Sequence, residues 1–153
     1  MALTTSAGTL FKISAGVPAT FNVAGYAALS YTTVGEVTNV PEFGRVFALI
    51  SHKPIGTRGE QKFKGGFNEG AIAVALGLDT DDAGQILMKA AHLSDSKYAF
   101  SVTLPSGDVY YFQALTMSFK VNPGSVDNIS TATAQIEITT SSTGVGIVES
   151  LAA

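Results

Sequence analysis

Apolar and polar residues alternate with a period of two over long stretches of the chain, the pattern of β-strands that bury one face. Tyr98, Phe100, Val102 and Leu104 alternate with Ala99, Ser101 and Thr103. Pro105-Ser-Gly-Asp108 supplies a turn, and residues 109–121 read as the returning strand. Within that strand the apolar phase moves from Tyr110, Phe112 and Ala114 to Leu115, Met117, Phe119 and Val121. One extra residue near Ala114 or Leu115, a β-bulge, produces such a shift; burial of both faces is the alternative. After a turn at Asn122-Pro-Gly, a strand over residues 131–140 sends Ala132, Ala134, Ile136 and Ile138 to one side. Residues 71–78 set Ile72, Val74, Leu76 and Leu78 against Ala71, Ala73 and Ala75, which suits a strand buried on one side and closely approached on the other. Nearer the start, residues 10–13 alternate until Gly16 and Pro18. The β-branched run within residues 31–40 predicts another strand, ended by Pro41 and Gly44.

One segment changes period. Ala83, Ile86, Leu87, Ala90 and Ala91 recur at helical spacing and predict a helix over about residues 82–93. Asp82 and Gln85 fit the N-cap and N3 positions of a capping box, with Asp79 and Asp81 adding favourable charge at the helix start. Residues 41–59 are the least regular part: Pro41, Gly44, Pro54, Gly56 and Gly59 punctuate them, around a short apolar insert from Val46 to Ile50. So long an excursion in a compact domain is usually functional or disordered. The apolar insert argues against disorder and predicts a strand or hairpin that forms on packing against something. The last residues read as a loosely held tail. The order of elements predicts one domain over residues 1–153, mainly β, a sandwich or partial barrel with one flanking helix.

Composition sharpens this. Apolar residues make up 46% of the chain, too many for disorder driven by low hydrophobicity. Only 14% of residues are charged, against roughly 25% in an average soluble domain. Charge depletion of that kind fits either a neutral β-protein or a surface that becomes interface. The net charge of -3 does not suggest a nucleic-acid-binding surface. The first residues show no basic segment followed by an apolar one, so no secretory signal is expected, and the apolar run at residues 71–78 is far too short to span a bilayer.

Candidate chemistry is sparse. Without cysteine there is no thiolate nucleophile, disulfide or cysteine metal site. His52 and His92 lack a ligand partner at suitable spacing and read as a loop residue and a helix C-terminal tip. The Asp79–Asp82 cluster lacks the glycine and terminal glutamate of a calcium loop. The glycines at 56, 59, 65 and 66 lack a following Gly-Lys-Ser or Gly-Lys-Thr, and no serine sits in a Gly-x-Ser-x-Gly elbow. No catalytic residue, cofactor or metal is therefore expected. One charge asymmetry stands out: Arg45, Lys53, Arg58, Lys62 and Lys64, five of nine basic residues, fall in the irregular segment and the strand after it. They form either a solvated basic loop or a surface that docks head-to-tail on an acidic face of another copy.

Several segments, taken in order, resemble the tail tube proteins of long-tailed, non-contractile bacteriophages. They are Val34-Gly-Glu-Val-Thr-Asn-Val, Thr57-Arg-Gly-Glu-Gln-Lys-Phe-Lys-Gly-Gly, Asp82-Ala-Gly-Gln-Ile-Leu, Tyr98-Ala-Phe-Ser-Val-Thr-Leu-Pro-Ser-Gly with Tyr111-Phe-Gln-Ala-Leu, and Asp127-Asn-Ile-Ser-Thr-Ala. The resemblance runs from about Val34 to Thr140, and it lies in the order and spacing, no single piece being specific. It implies hexameric rings stacked into a hollow tube, with one sheet of each subunit joining its neighbours in a continuous lumenal barrel. It also implies a conduit for DNA ejection, a long loop at about 41–59 that reaches the adjacent ring, and flexible terminal arms. Implied partners are further copies of the chain, a tail tip or initiator, a tail terminator, and a tape measure protein and genome DNA held in the lumen without specific binding. The implied location is the virion tail, with assembly in the host cytoplasm and no membrane. Under this reading Arg45, Lys53, Arg58, Lys62 and Lys64 make inter-ring contacts, and Glu36, Thr38, Ser101 and Thr103 face the lumen. The alternatives are a β-sandwich ligand-binding or adhesion module, and a tube subunit of a contractile or secretion machine.

Overall fold

A computed structural model describes residues 3–152. The chain order is β1 (Leu10–Ser14), α1 (Val23–Ala27), β2 (Thr32–Thr33), β3 (Val37–Asn39), β4 (Val46–His52), β5 (Gln61–Asn68), β6 (Ala71–Gly77), α2 (Ala83–Leu93), β7 (Tyr98–Thr103), β8 (Val109–Asn122), β9 (Thr131–Thr139) and β10 (Val148–Ser150). Eight strands form one sheet in the order β2-β1-β7-β8-β9-β6-β3, with β10 also on β8; β4 and β5 pair only with each other as a separate hairpin. All these pairings are antiparallel.

β8 explains the shape. It pairs with β7 from Val109 to Ala114 and with β9 from Gln113 to Asn122, so one strand runs through two half-sheets that curl around a shared core. The phase shift read in the sequence is a bulge, placed where the register slips between Thr116 and Ser118, slightly beyond the expected Ala114 or Leu115. A bulge bends its strand and raises the local twist, which lets the sheet turn a corner there. The concave side holds the core. Phe11 and Ile13 come from β1, Phe100 and Val102 from β7, and Phe112 from β8; Ile72, Val74 and Leu76 on β6 face Ala132, Ala134 and Ile136 on β9. Phe100 stacks on its cross-strand partner Phe112 with ring centroids 5.8 Å apart, which adds aromatic packing to the β7–β8 side of the core.

α2 closes the open side of this core with a face rotated from the one its spacing predicts, only Leu87 and Ala91 of that stripe packing inward. Gly84, Gln85, Met88 and Ala91 are buried, whereas Ile86 is 53% exposed and Ala90 lies outside. Gly84 decides the rotation: a Cβ there would overlap the Thr33 carbonyl, so the helix lies directly on the β2 backbone. The capping box is half realised. Asp82 Oδ2 accepts from Gln85 N at 3.0 Å, as expected of an N-cap. The Gln85 side chain turns inward instead, donating to the Gly35 and Gly77 carbonyls and accepting from Asp79 N.

Three other segments depart from the sequence reading. The strand expected over residues 31–40 is split into β2 and β3, because Glu36 adopts a left-handed φ of 61° and Gly35 N bonds Asp82 Oδ2 at 2.9 Å. Residues 19–31, without periodicity, contain α1, capped by Asn22 Oδ1 accepting from Gly25 N at 2.9 Å. The tail read as loosely held forms β10, paired to β8 from Val109 to Tyr111, and Ala152 N donates to Asp108 Oδ1 at 2.7 Å.

Candidate assembly surfaces

The hairpin of β4 and β5 is the most unusual part of the molecule. Every residue of β4 is exposed, as is every residue of β5 except Gly65. Register places Phe47, Leu49 and Ser51 on one face with Phe67, Lys64 and Lys62. Ile50 and Phe63 are opposite one another on the other face, so both faces carry large apolar side chains. Their exposures run from 39% at Phe67 to 68% at Val46, and Ile55 in the turn is fully exposed. The segment read as an irregular loop over 41–59 is thus the first strand and turn of a hairpin that continues to Asn68. A two-stranded hairpin with no covered face is marginal in water and gains stability when a further surface packs on it.

The base of the hairpin is anchored. Glu69 is 2% exposed and its Oε1 accepts from Arg45 Nε at 2.6 Å, while Oε2 accepts from the backbone N of Ile147 at 3.1 Å. The Arg45 guanidinium also sits 3.8 Å from the centroid of the Phe67 ring. A Cβ at Gly146 would overlap the Glu69 carboxyl, so glycine there lets the C-terminal segment close over it. One buried carboxylate therefore holds the hairpin to the chain that leads into β10. Farther out, Lys64 Nζ lies 4.8 Å from the Phe47 ring. Lys53 and Arg58 stand exposed in the turn. Of the five expected basic contacts, four are thus spread along the exposed hairpin, and Arg45 serves its base.

The half-sheet of β8, β9, β6 and β3 offers both edges and a face. Residues 115–122 of β8 have no strand on the side opposite β9, because β7 ends its pairing at Ala114, and β3 stands at the other margin. The face of this half-sheet turned away from the core is mostly small or polar, with Leu115 the exception. Ala71, Ala73 and Ala75 face Glu137, Gln135 and Thr133, and Leu115, Ser118 and Lys120 are opposite the same three β9 residues. Thr38 joins them, its hydroxyl donating to the Ala75 carbonyl at 3.2 Å.

Of the residues expected to face a lumen, Thr38 lies beside this face and Glu36 is exposed in the turn before β3. Ser101 and Thr103 are elsewhere: they belong to β7 in the other half-sheet, where Ser101 is 2% exposed and Thr103 is half-buried. The cover over that half-sheet is α1 and its flanks. Tyr26 stacks on Tyr111 at 5.6 Å, and Tyr111 is the β8 partner of Ser101. Burial pushes the Tyr26 hydroxyl up to about 12 and raises that of Tyr31 further, with Tyr111 and Tyr26 adding to it. This covering layer is uncharged throughout residues 13–35. Glu137 and Lys120 were missed as face residues, although strict alternation from the buried Ile136 and Ile138 could have found Glu137. Among the described residues no three His, Asp or Glu side chains gather to hold a metal, and no helix is long and apolar enough to cross a membrane.

No protein-family model matches the sequence. No curated protein matches it either. Solved structures do. A chain of the sheath/tube terminator of an extracellular contractile injection system, PVC, in its extended state superposes with a TM-score of 0.70 at 7% identity, over 99% of each chain. A chain of the anti-feeding prophage (AFP) baseplate gives 0.62 at 8% identity, over 91% of this chain and 93% of that one. The SPP1 tail tube gives 0.63 at 14% identity, over 92% of this chain and 75% of that one. The fold is a tail-tube fold. At such low identities the tail-tube likeness is one of architecture: a curled, mainly β half-barrel with a short helix packed on it.

Proposed function

We propose that this chain is the tail tube subunit of a long-tailed phage, assembling into hexameric rings that stack as a hollow conduit for DNA ejection. The observation that carries the reading is the hairpin, whose two faces are both apolar and both uncovered in the single chain. An element of that kind is explained by a neighbouring copy that buries it. The two open margins of the half-sheet of β8, β9, β6 and β3, residues 115–122 of β8 and β3 itself, support lateral joining of sheets into a closed barrel, which removes exposed edges.

In such a barrel the face of Ala71, Ala73, Ala75, Thr133, Gln135 and Thr38, turned away from the core, lines the lumen. Glu137 and Lys120 are the charges that go with it. A nearly neutral bore suits DNA passage, because each phosphate held by a cation must be released before the strand moves on. Ser101 is buried on β7 and does not contribute, and Thr103 belongs to the same β7–β8 half-sheet. In this role the subunit meets further copies of itself, an initiator at the tail tip, a terminator, and a tape measure protein and genome DNA held without specific contacts. It works in the virion tail after assembly in the host cytoplasm. Its work is structural, not catalytic.

A tube subunit inside a contractile sheath is a second reading, supported by the full-length superposition on the PVC chain and by the uncharged outer layer. The test of the first reading is negative-stain electron microscopy and sedimentation at rising protein concentration. Long hollow tubes of uniform width, lost when residues 46–68 are replaced by a short turn, are the expected result. Monomers that persist even on a purified tail tip would overturn it. Co-assembly with a sheath protein encoded beside it would favour the contractile machine.

A further inference from the structure

The hairpin leaves the body at the Ala71 end of β6, and a groove of about 640 Å³ opens at the other end of the same strand. Six residue steps of β6 separate the two, roughly 20 Å at strand rise. Gly77 forms part of the groove, with Glu36, Asn122, Asp127 and Ile129. Hydrogen bonds fix its floor: Gly77 N donates to the Glu36 carbonyl at 2.7 Å, and Leu78 N to the Ser130 carbonyl at 2.9 Å. Its lining holds two carboxylates and no cation. The loop that forms one wall also presents two of the most exposed apolar side chains in the molecule, Val126 at 98% and Ile129 at 81%.

We infer that this groove is the receptor for the hairpin turn of the next copy. The inference rests on the stacked-tube reading and adds where on the body the arm docks. The two surfaces match in kind. The turn offers Ile55 flanked by Lys53 and Arg58, an apolar tip between cations, and the groove offers Ile129 and Val126 beside Glu36 and Asp127. Donor and receptor lie at opposite ends of β6, so the contact is head-to-tail, and each copy engaged through its arm leaves its own groove open for another. Salt-screened steering between the charges sets the register, and burial of Ile55 on Ile129 supplies the apolar contact.

The absence of cysteine makes the test clean. Single variants Ile55→Cys and Ile129→Cys, both at exposed positions, are mixed under conditions where the parent chain forms tubes, then oxidised. The expected result is a covalent dimer of one of each, and a ladder of higher species from the chain carrying both substitutions. A second arm uses charge: Asp127→Lys should reduce the assembled fraction at fixed concentration at least tenfold, and Arg58→Asp in the same chain should recover most of it. Tubes that form without the Ile55→Cys to Ile129→Cys link, and that are indifferent to Asp127→Lys, would overturn the groove assignment while leaving the tube reading intact. A parent chain that never assembles would remove the tube reading, and this inference with it.

Discussion

Gln85 is the place where a single substitution best separates the observed helix packing from the one its sequence suggests. Its side chain is 1% exposed and bridges three segments, bonding the Gly35 carbonyl at 3.0 Å, the Gly77 carbonyl at 2.8 Å and Asp79 N at 3.0 Å. Gln85→Leu keeps the volume nearly constant, so the loss is of hydrogen bonds and not of packing. At about 1 kcal/mol net for each bond, with more where a carbonyl is left dry, the cost is roughly 2–4 kcal/mol. For a domain of this size that lowers Tm by about 6–12 °C. Ile86 next to it is 53% exposed, and Ile86→Gln should stay within about 0.5 kcal/mol. Urea denaturation of both variants, at concentrations where the chain sediments as a monomer, gives the comparison through the shift in midpoint at constant slope. Had the face of Ala83, Ile86, Leu87, Ala90 and Ala91 been the buried one, the ranking would invert. A larger loss for Ile86→Gln than for Gln85→Leu would refute the packing described.

Three further predictions concern other buried polar groups. Tyr31 has its hydroxyl buried without a hydrogen-bond partner among the described residues, so Tyr31→Phe should raise stability at neutral pH by about 0.5–1.5 kcal/mol, read from the denaturation midpoint; a loss would mean the hydroxyl has a partner. Burial raises the Tyr26 pKa from 10.0 to about 12, so its contribution is complete below pH 10 and is lost as pH climbs through 12. Two units correspond to about 2–3 kcal/mol, and Tyr26→Phe should flatten alkaline unfolding over that window relative to the parent. Glu69→Ala should free the hairpin base at a cost of roughly 2–3 kcal/mol, because it strands Arg45 and the Ile147 amide. Hydrogen exchange should then quicken around residues 45 and 147 with little change in β7 and β9; unchanged exchange at Ile147 would contradict the clamp.

The strands that bury one face against the core were legible because period two is a direct record of the pleat: β6, β7 and β9 fall where alternation predicts them. α2 was legible in extent but not in orientation. Hydrophobic spacing cannot know that Gly84 is pressed on the Thr33 carbonyl or that a glutamine is more buried than the isoleucine beside it. The break between β2 and β3 depends on a non-glycine residue, Glu36, in a left-handed conformation that its identity does not announce. β10 is three residues long and takes its register from β8, a partner far away in sequence. The candidate surfaces show the same division. Clustering of cations in residues 45–64 marked the hairpin, but the role of Arg45 depends on Glu69, twenty-four positions on. The burial of Ser101 was not legible because α1, which packs on its strand partner Tyr111, leaves no periodic trace; Asn22 three residues before Gly25 was the one local cue.

The cations along the hairpin have a consequence for how copies avoid one another. Two uncovered arms would otherwise meet face to face, since each presents apolar rings and unpaired strand margins that a like arm could match. Lys53, Arg58, Lys62 and Lys64 make that meeting repulsive, as gatekeeper charges do on aggregation-prone strands. Symmetric pairs are thereby disfavoured and growth acquires a direction. The same repulsion fades with added salt, so high ionic strength should trade ordered polymer for symmetric, disordered aggregate.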